Sequence, residues 1–147
     1  MILARVEKED IGAIANYIID ELKSYGVNDT YGTSVKIENA LLVCDEAWKV
    51  EVDGTIVAFG AVERSSPVMI HVLSYYIAKE WRQTVAAYMI SKKMLELMEG
   101  YAKVVYLPLT VGQVLPKRFC KDGLIDREEL QRFIGRFDKR WEVAPKP

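Results

Sequence analysis

The chain is poor in the residues that build metal centres and disulfide frameworks. It has one histidine, His71, and two cysteines, Cys44 and Cys120, which lie far apart and in no CxxC pair. A lone histidine cannot complete a zinc site, and no cysteine pair has metal-ligand spacing, so no metal is expected. Two distant thiols fit a reducing, cytoplasmic-type compartment better than a disulfide-stapled secreted domain. Net charge is also nearly absent, at −1 over 147 residues. That leaves no basic footprint for nucleic acid or an anionic membrane. No apolar run is long enough to span a bilayer. The start, "MILARVEKEDIG", turns charged by Arg5 and lacks the apolar stretch of a signal peptide. Half the residues are hydrophobic and 28% are charged. Those proportions suit one ordinary globular domain over 1–147 with its own core.

Residues 2–6 read as a short strand. Asp10 is placed to cap a helix with Ile11, Ile14, Ala15, Ile18, Ile19 and Leu22 on one face, and Gly26 to close it. Residues 27–32 read as loop, and a second helix is expected from Ser34 to Cys44, with Ile37, Leu41 and Cys44 facing inward. "AWKVEV" alternates. Asp53-Gly54 is a strong hairpin signal, because a type I′ turn needs positive φ at both centre positions. "TIVAFGAVE" returns as the partner strand, "SSP" breaks the chain, and Val68–Ile77 is a third strand. From Thr84 to Tyr101 the period becomes helical, with Ala87, Ile90, Met94, Leu97 and Tyr101 as the apolar stripe. "KVVYLPL" is a buried-type strand in which Pro108 suggests an edge, a bulge or a splayed end. "VLPKRFCKDG" reads as a short helix or turn. In the tail, 126–147, Asp126 and Glu129 form a capping-box pattern ahead of Leu130, Phe133, Ile134 and Phe137 at helical spacing. The last residues read as frayed. The order β-α-α-β-β-β-α-β-α predicts an α/β or α+β fold with a hairpin-rich mixed sheet.

Three stretches carry a resemblance to a known family. They are the hairpin "WKVEVDGTIVAFGAVE", the strand-to-helix segment "YYIAKEWRQTVAAYMI", and "RFCKDGLI". With the element order, they resemble the GNAT superfamily of N-acyltransferases over residues 1–125. The resemblance implies a mostly antiparallel central sheet flanked by helices, with two strands splayed at the cofactor site. It implies acetyl-CoA as cosubstrate and transfer of its acyl group to an amine. Its pantetheine would bond to strand-end backbone at Tyr76, Ile77 and Ala78. Its pyrophosphate would meet the helix start at Arg82, Gln83, Thr84, Val85, Ala86 and Ala87. A helix N-terminus suits that role, since its N–H groups are unpaired and its dipole is positive. The family usually has glycine where this chain has Gln83 and Val85. Its frequent catalytic tyrosine corresponds to Phe119, which has no hydroxyl. For proton transfer this leaves Glu63 and His71 as candidate bases and Tyr75 or Tyr76 as a replacement phenol. Tyr75 and Tyr76 point to opposite faces of their strand, so one at most lines a cleft.

Two functions follow from the same resemblance: an acyl-CoA-dependent N-acyltransferase, or a GNAT-fold binding or structural protein without chemistry. The "VG…RF.K..G" stretch is similar to phage-encoded GNAT-like proteins, which would place the chain in a host cytoplasm or a virion. The C-terminal helix, where the family normally closes with a β-hairpin, offers a surface for a partner protein or a second copy. "DGLIDREEL" echoes the end of a calcium loop. Arg118 and Cys120 would then fill the first and third ligand positions, which denies calcium its oxygen cage.

Overall fold

The computed structural model describes residues 1–24, 26, 31–106 and 119–141. Strand β1 (Ile2–Arg5) leads through a single 3-10 turn (Lys8–Asp10) into α1 (Ile11–Ser24). Then come α2 (Tyr31–Val43), β2 (Glu46–Val52), β3 (Thr55–Arg64) and β4 (Met69–Ile77). A second 3-10 turn (Lys79–Trp81) precedes α3 (Val85–Met98), followed by β5 (Lys103–Tyr106). The described residues close with β6 (Cys120–Lys121), β7 (Leu124–Ile125) and α4 (Arg127–Trp141). The strands form one seven-stranded sheet in the order β1-β2-β3-β4-β5-β7-β6. Among the described residues only the β4–β5 pair is parallel.

Register assigns the faces. Trp48, Gly60 and Tyr75 align across β2, β3 and β4 on one face. Lys49, Phe59 and Tyr76 align on the other. Helix α3 lies on the first face, where Met94 fills the space a Cβ at Gly60 would need and Ser91 bonds the Tyr75 hydroxyl. Helix α4 packs on α3 through Phe137 against Tyr88, while its Phe133 meets Phe119. Helix α1 rests on the second face, with Tyr17 edge-on to Tyr76 at 5.4 Å, and α2 packs against α1. Apolar side chains fill both interfaces; Ile14, Ile37, Ile90, Met94, Met98 and Leu130 are fully buried. Burial of that kind contributes about 1.5–3 kcal/mol per large side chain.

Several local expectations change. Asp10 does not cap α1. It closes the preceding turn by accepting from Glu7 N (2.7 Å) and takes a second bond from Lys49 Nζ (2.6 Å). Lys49, in the alternating strand β2, is itself buried. The buried stripe of α3 runs Ala87, Ile90, Met94 and Met98, with Leu97 half-buried beside it and Tyr101 past the helix end. Helix α2 starts at Tyr31, inside the expected loop. Of the stretch expected as a helix or turn ending at Gly123, the described residues 119–123 include strand β6 and the tight turn of the β6–β7 hairpin. Its Asp122 (φ 54°) and Gly123 (φ 75°) repeat the Asp53 (φ 51°) and Gly54 (φ 80°) turn. A minimal closing hairpin therefore exists, and α4 follows it. Pro108 lies outside the described residues.

Candidate functional site at the end of strand β4

The junction of β4 and α3 is stitched by a short series of bonds. Ala78 N donates to Val57 O on β3 (2.8 Å), and Trp81 N donates to Ala78 O (2.8 Å). Trp81 O then accepts from both Thr84 N (3.2 Å) and Thr84 Oγ1 (2.7 Å). Thr84 is the N-cap of α3, its Oγ1 accepting from Ala86 N (3.3 Å). The connector thus fixes where the helix starts, and a threonine cap adds about 1 kcal/mol to that start. The N–H groups of Val85 and Ala87 belong to the first helical turn, whose donors have no partner within the helix.

Neither Gln83 nor Val85 has positive φ. Val85 is the first residue of α3, half-buried, with ordinary helical geometry. The turn is therefore built without the conformational freedom glycine provides. Ala86 and Ala87, in the first turn of α3, are fully buried.

Among the described residues β4 and β5 pair from Met69↔Lys103 to Val72↔Tyr106. Beside that last pair β4 carries a bulge: Ala61 faces Ser74 and Val62 faces Val72, which leaves Leu73 as the extra residue. Past it, Ser74 to Ile77 continue along β3. Backbone direction alternates along an antiparallel pair. Since Ala78 N points to β3, Tyr76 also directs its backbone groups to β3, and Ile77 directs its own to the β5 side. Of the three strand-end residues, only Ile77 directs its backbone donor and acceptor to the β5 side. Arg82, exposed on the connector, places Nε 3.1 Å from Ile77 O. Leu107, the β5 residue that would mark a divergence, lies outside the described residues.

The acid–base candidates fall into two places. Glu63 and His71 face each other across β3 and β4, on the α1 side of the sheet. Ser65 Oγ lies 2.8 Å from His71 Nδ1. Glu63 is exposed and His71 half-buried. Tyr76 is on the same face but five residues along β4, about 16 Å away at strand rise, stacked on Phe59 at 5.1 Å. The structure therefore brings Glu63 and His71 together and leaves Tyr76 apart. Tyr75 is on the opposite face, fully buried and bonded to Ser91. Phe119 is buried too, stacked on Tyr75 (6.4 Å) and edge-on to Phe133 (5.3 Å). It belongs to the core between sheet and α4.

Near the other end of β3, burial, Asp45 and Glu63 push the Cys44 thiol upward, as expected of an inert, half-buried thiol. Burial works against the charge of Glu46, but bonds from Arg64 and Trp48 and the charges of Arg64 and Arg5 hold its carboxyl below the usual range. A groove of about 370 Å³ lies between α3 and α4, lined by Leu95, Glu99, Arg127 and Ile134 among others, at the far end of α3 from Thr84. Among the described residues no helix is long and apolar enough to cross a membrane, and no group of His, Cys, Asp or Glu could hold a metal ion.

No protein-family model matches the chain, and no curated protein matches it in sequence. Solved structures do match. A predicted acetyltransferase from Clostridium acetobutylicum, solved with acetyl-CoA, superimposes with a TM-score of 0.56 at 13% identity, covering 72% of this chain and 79% of that one. The chain has the GNAT fold. A probable acetyltransferase gives a TM-score of 0.58 at 14% identity over 100% of this chain and 97% of the other. Diaminobutyrate acetyltransferase from Paenibacillus lautus, solved with L-2,4-diaminobutyric acid and coenzyme A, gives 0.52 at 16% identity over 97% and 77%. At such identities the likeness concerns the GNAT architecture, a mixed sheet with helices on both faces.

Proposed function

We propose that this chain is an acyl-CoA-dependent N-acyltransferase that carries acetyl from acetyl-CoA to an amine. The observation that carries the reading is the β4-to-α3 junction within a GNAT fold. The strand end offers Ile77 N–H and C=O, and one connector later Thr84 opens a helix whose first donors and positive end suit a pyrophosphate. Structural neighbours of this fold were solved with acetyl-CoA, or with an amine substrate and coenzyme A. In this reading pantetheine runs along the Ile77 side of β4, with Tyr76 and Ala78 shaping the strand behind it. Arg82, Gln83, Thr84, Val85, Ala86 and Ala87 surround the phosphates.

The amine attacks the thioester carbonyl, backbone N–H on β4 stabilises the oxyanion, and the C–S bond breaks to release the coenzyme A thiolate. One proton must leave the ammonium and one must reach the sulfur. His71 is the better-held base, since Ser65 contacts its ring and the sheet half-buries it; Glu63, across from it, is exposed. Tyr76, on that face but about 16 Å from His71, is buried between Phe59 and Tyr17 and would act only at the strand end. The test is release of coenzyme A thiol from acetyl-CoA in the presence of diamines, amino acids and peptide N-termini. Amine-dependent release supports the enzyme; acetyl-CoA binding with no release for any amine class favours the second reading.

That second reading is a GNAT-fold binding or structural component without chemistry, with a viral particle as one setting. Its specific support is that Phe119 has no hydroxyl and that the neighbouring Tyr75 is buried against Ser91.

A further inference from the structure

Arg82 enters the cofactor reading as a phosphate contact, and its observed geometry asks for more. Its Nε donates to the carbonyl of Ile77, 3.1 Å away and five residues back. The connector makes that possible: the 3-10 turn Lys79–Trp81 reverses the chain, so position 82 returns level with the strand it has just left. Ile77 is also the strand-end residue whose backbone faces the β5 side, because its neighbour Ala78 is bonded to Val57. The last described β4–β5 pair lies five residues earlier, at Val72. Arg82 therefore holds the one peptide edge that the cofactor reading assigns to pantetheine.

We propose that Arg82 is a positioning residue for β4 as well as a phosphate contact, one guanidinium spanning both halves of the cofactor site. This deepens the acyl-CoA reading and rests on it. A guanidinium has five donors in a fixed plane, so Nε can hold Ile77 O while the terminal nitrogens address phosphate oxygens. A carbonyl oxygen has two lone pairs, so a pantetheine N–H can share Ile77 O with Arg82. A lysine, a single point charge on a flexible stem, cannot fill both roles at once.

The experiment compares wild type, Arg82→Ala and Arg82→Lys against acetyl-CoA and against S-acetyl-pantetheine, which has no phosphate. Amide hydrogen exchange at residues 76–79 of the ligand-free proteins is measured alongside. The alanine variant is expected to lose about tenfold in S-acetyl-pantetheine affinity, the effect of one hydrogen bond to a charged group, and to exchange faster at the strand end. The lysine variant is expected to recover acetyl-CoA affinity in part and S-acetyl-pantetheine affinity not at all. If Arg82→Ala weakens only acetyl-CoA and leaves exchange unchanged, Arg82 is a phosphate contact alone and the positioning role is overturned, while the cofactor reading stands. If wild type binds neither ligand, the cofactor reading fails and takes this role with it.

Discussion

Met94 fills the space that a side chain at position 60 would need. A Cβ built on Gly60 would overlap its sulfur and sit 3.1 Å from its Cε. Gly60 lies mid-strand in β3 and Met94 is fully buried in α3, so this pair sets how closely helix and sheet approach. Gly60→Ala is expected to destabilise by about 1–3 kcal/mol through overpacking, read from urea unfolding. Met94 is flexible, so Met94→Ala in the same chain should recover part of that loss. An unchanged midpoint would show that the helix rides further from the sheet.

Lys49 gives a pH-dependent prediction. Its ammonium contacts Asp10 and Glu51, each at 2.6 Å. Burial opposes the charge of Asp10, but the bond to Lys49, the Glu7 backbone bond and the Lys49 charge together hold its carboxyl below the ordinary value of 3.8. A carboxyl lowered in the folded state stabilises above its unfolded pKa, and that stability is lost as pH falls through the folded value. Lys49→Met is expected to cost about 1–3 kcal/mol at neutral pH, less than a fully buried pair because both carboxylates keep some solvent. It should also flatten the loss of stability below about pH 4. Denaturant midpoints measured from pH 7 down to pH 2 check both.

Val85 stands where the family usually has glycine, yet it has ordinary helical geometry at the first position of α3. Val85→Gly should therefore weaken the helix start by about 0.5–1 kcal/mol and leave acetyl-CoA affinity within about threefold of wild type. A gain of tenfold or more on titration would mean that the valine crowds the phosphate.

His71 is the proposed base, one strand across from Glu63 and in contact with Ser65. His71→Gln is expected to lower kcat for acetyl transfer by about 10²–10⁴-fold, with the KM for acetyl-CoA unchanged. Glu63→Gln should have the smaller effect, because its carboxylate is exposed and not held. The reverse order would move the base to Glu63.

Much of the architecture is legible in the chain because local chemistry and tertiary packing agree there. Asp53-Gly54 announces its turn, and Asp126 caps α4 by accepting from Glu129 N at 3.1 Å. The second Asp-Gly pair, Asp122-Gly123, carried the same signal. It was obscured because its strands are two residues each, too short for period-two alternation to register. Lys49 was invisible for another reason: a lysine in an alternating strand reads as solvent-facing, and only the fold brings Asp10 beside it, 39 residues away. At the site, the strand end and helix start could be placed by order alone. Which backbone groups face outward could not, because that depends on the β3–β4 register and the bulge at Leu73. The burial of Phe119 between Tyr75 and Phe133 likewise depends on where α4 docks.

The central claim is that the β4 end and the α3 start together bind an acyl-CoA. Calorimetric titration of the full chain with acetyl-CoA tests it most directly. Saturable heat at one site per chain, with a Kd in the micromolar to low-millimolar range and weakened in Arg82→Ala, is the predicted result. No heat at millimolar acetyl-CoA would contradict the claim and leave the GNAT fold here without its cofactor.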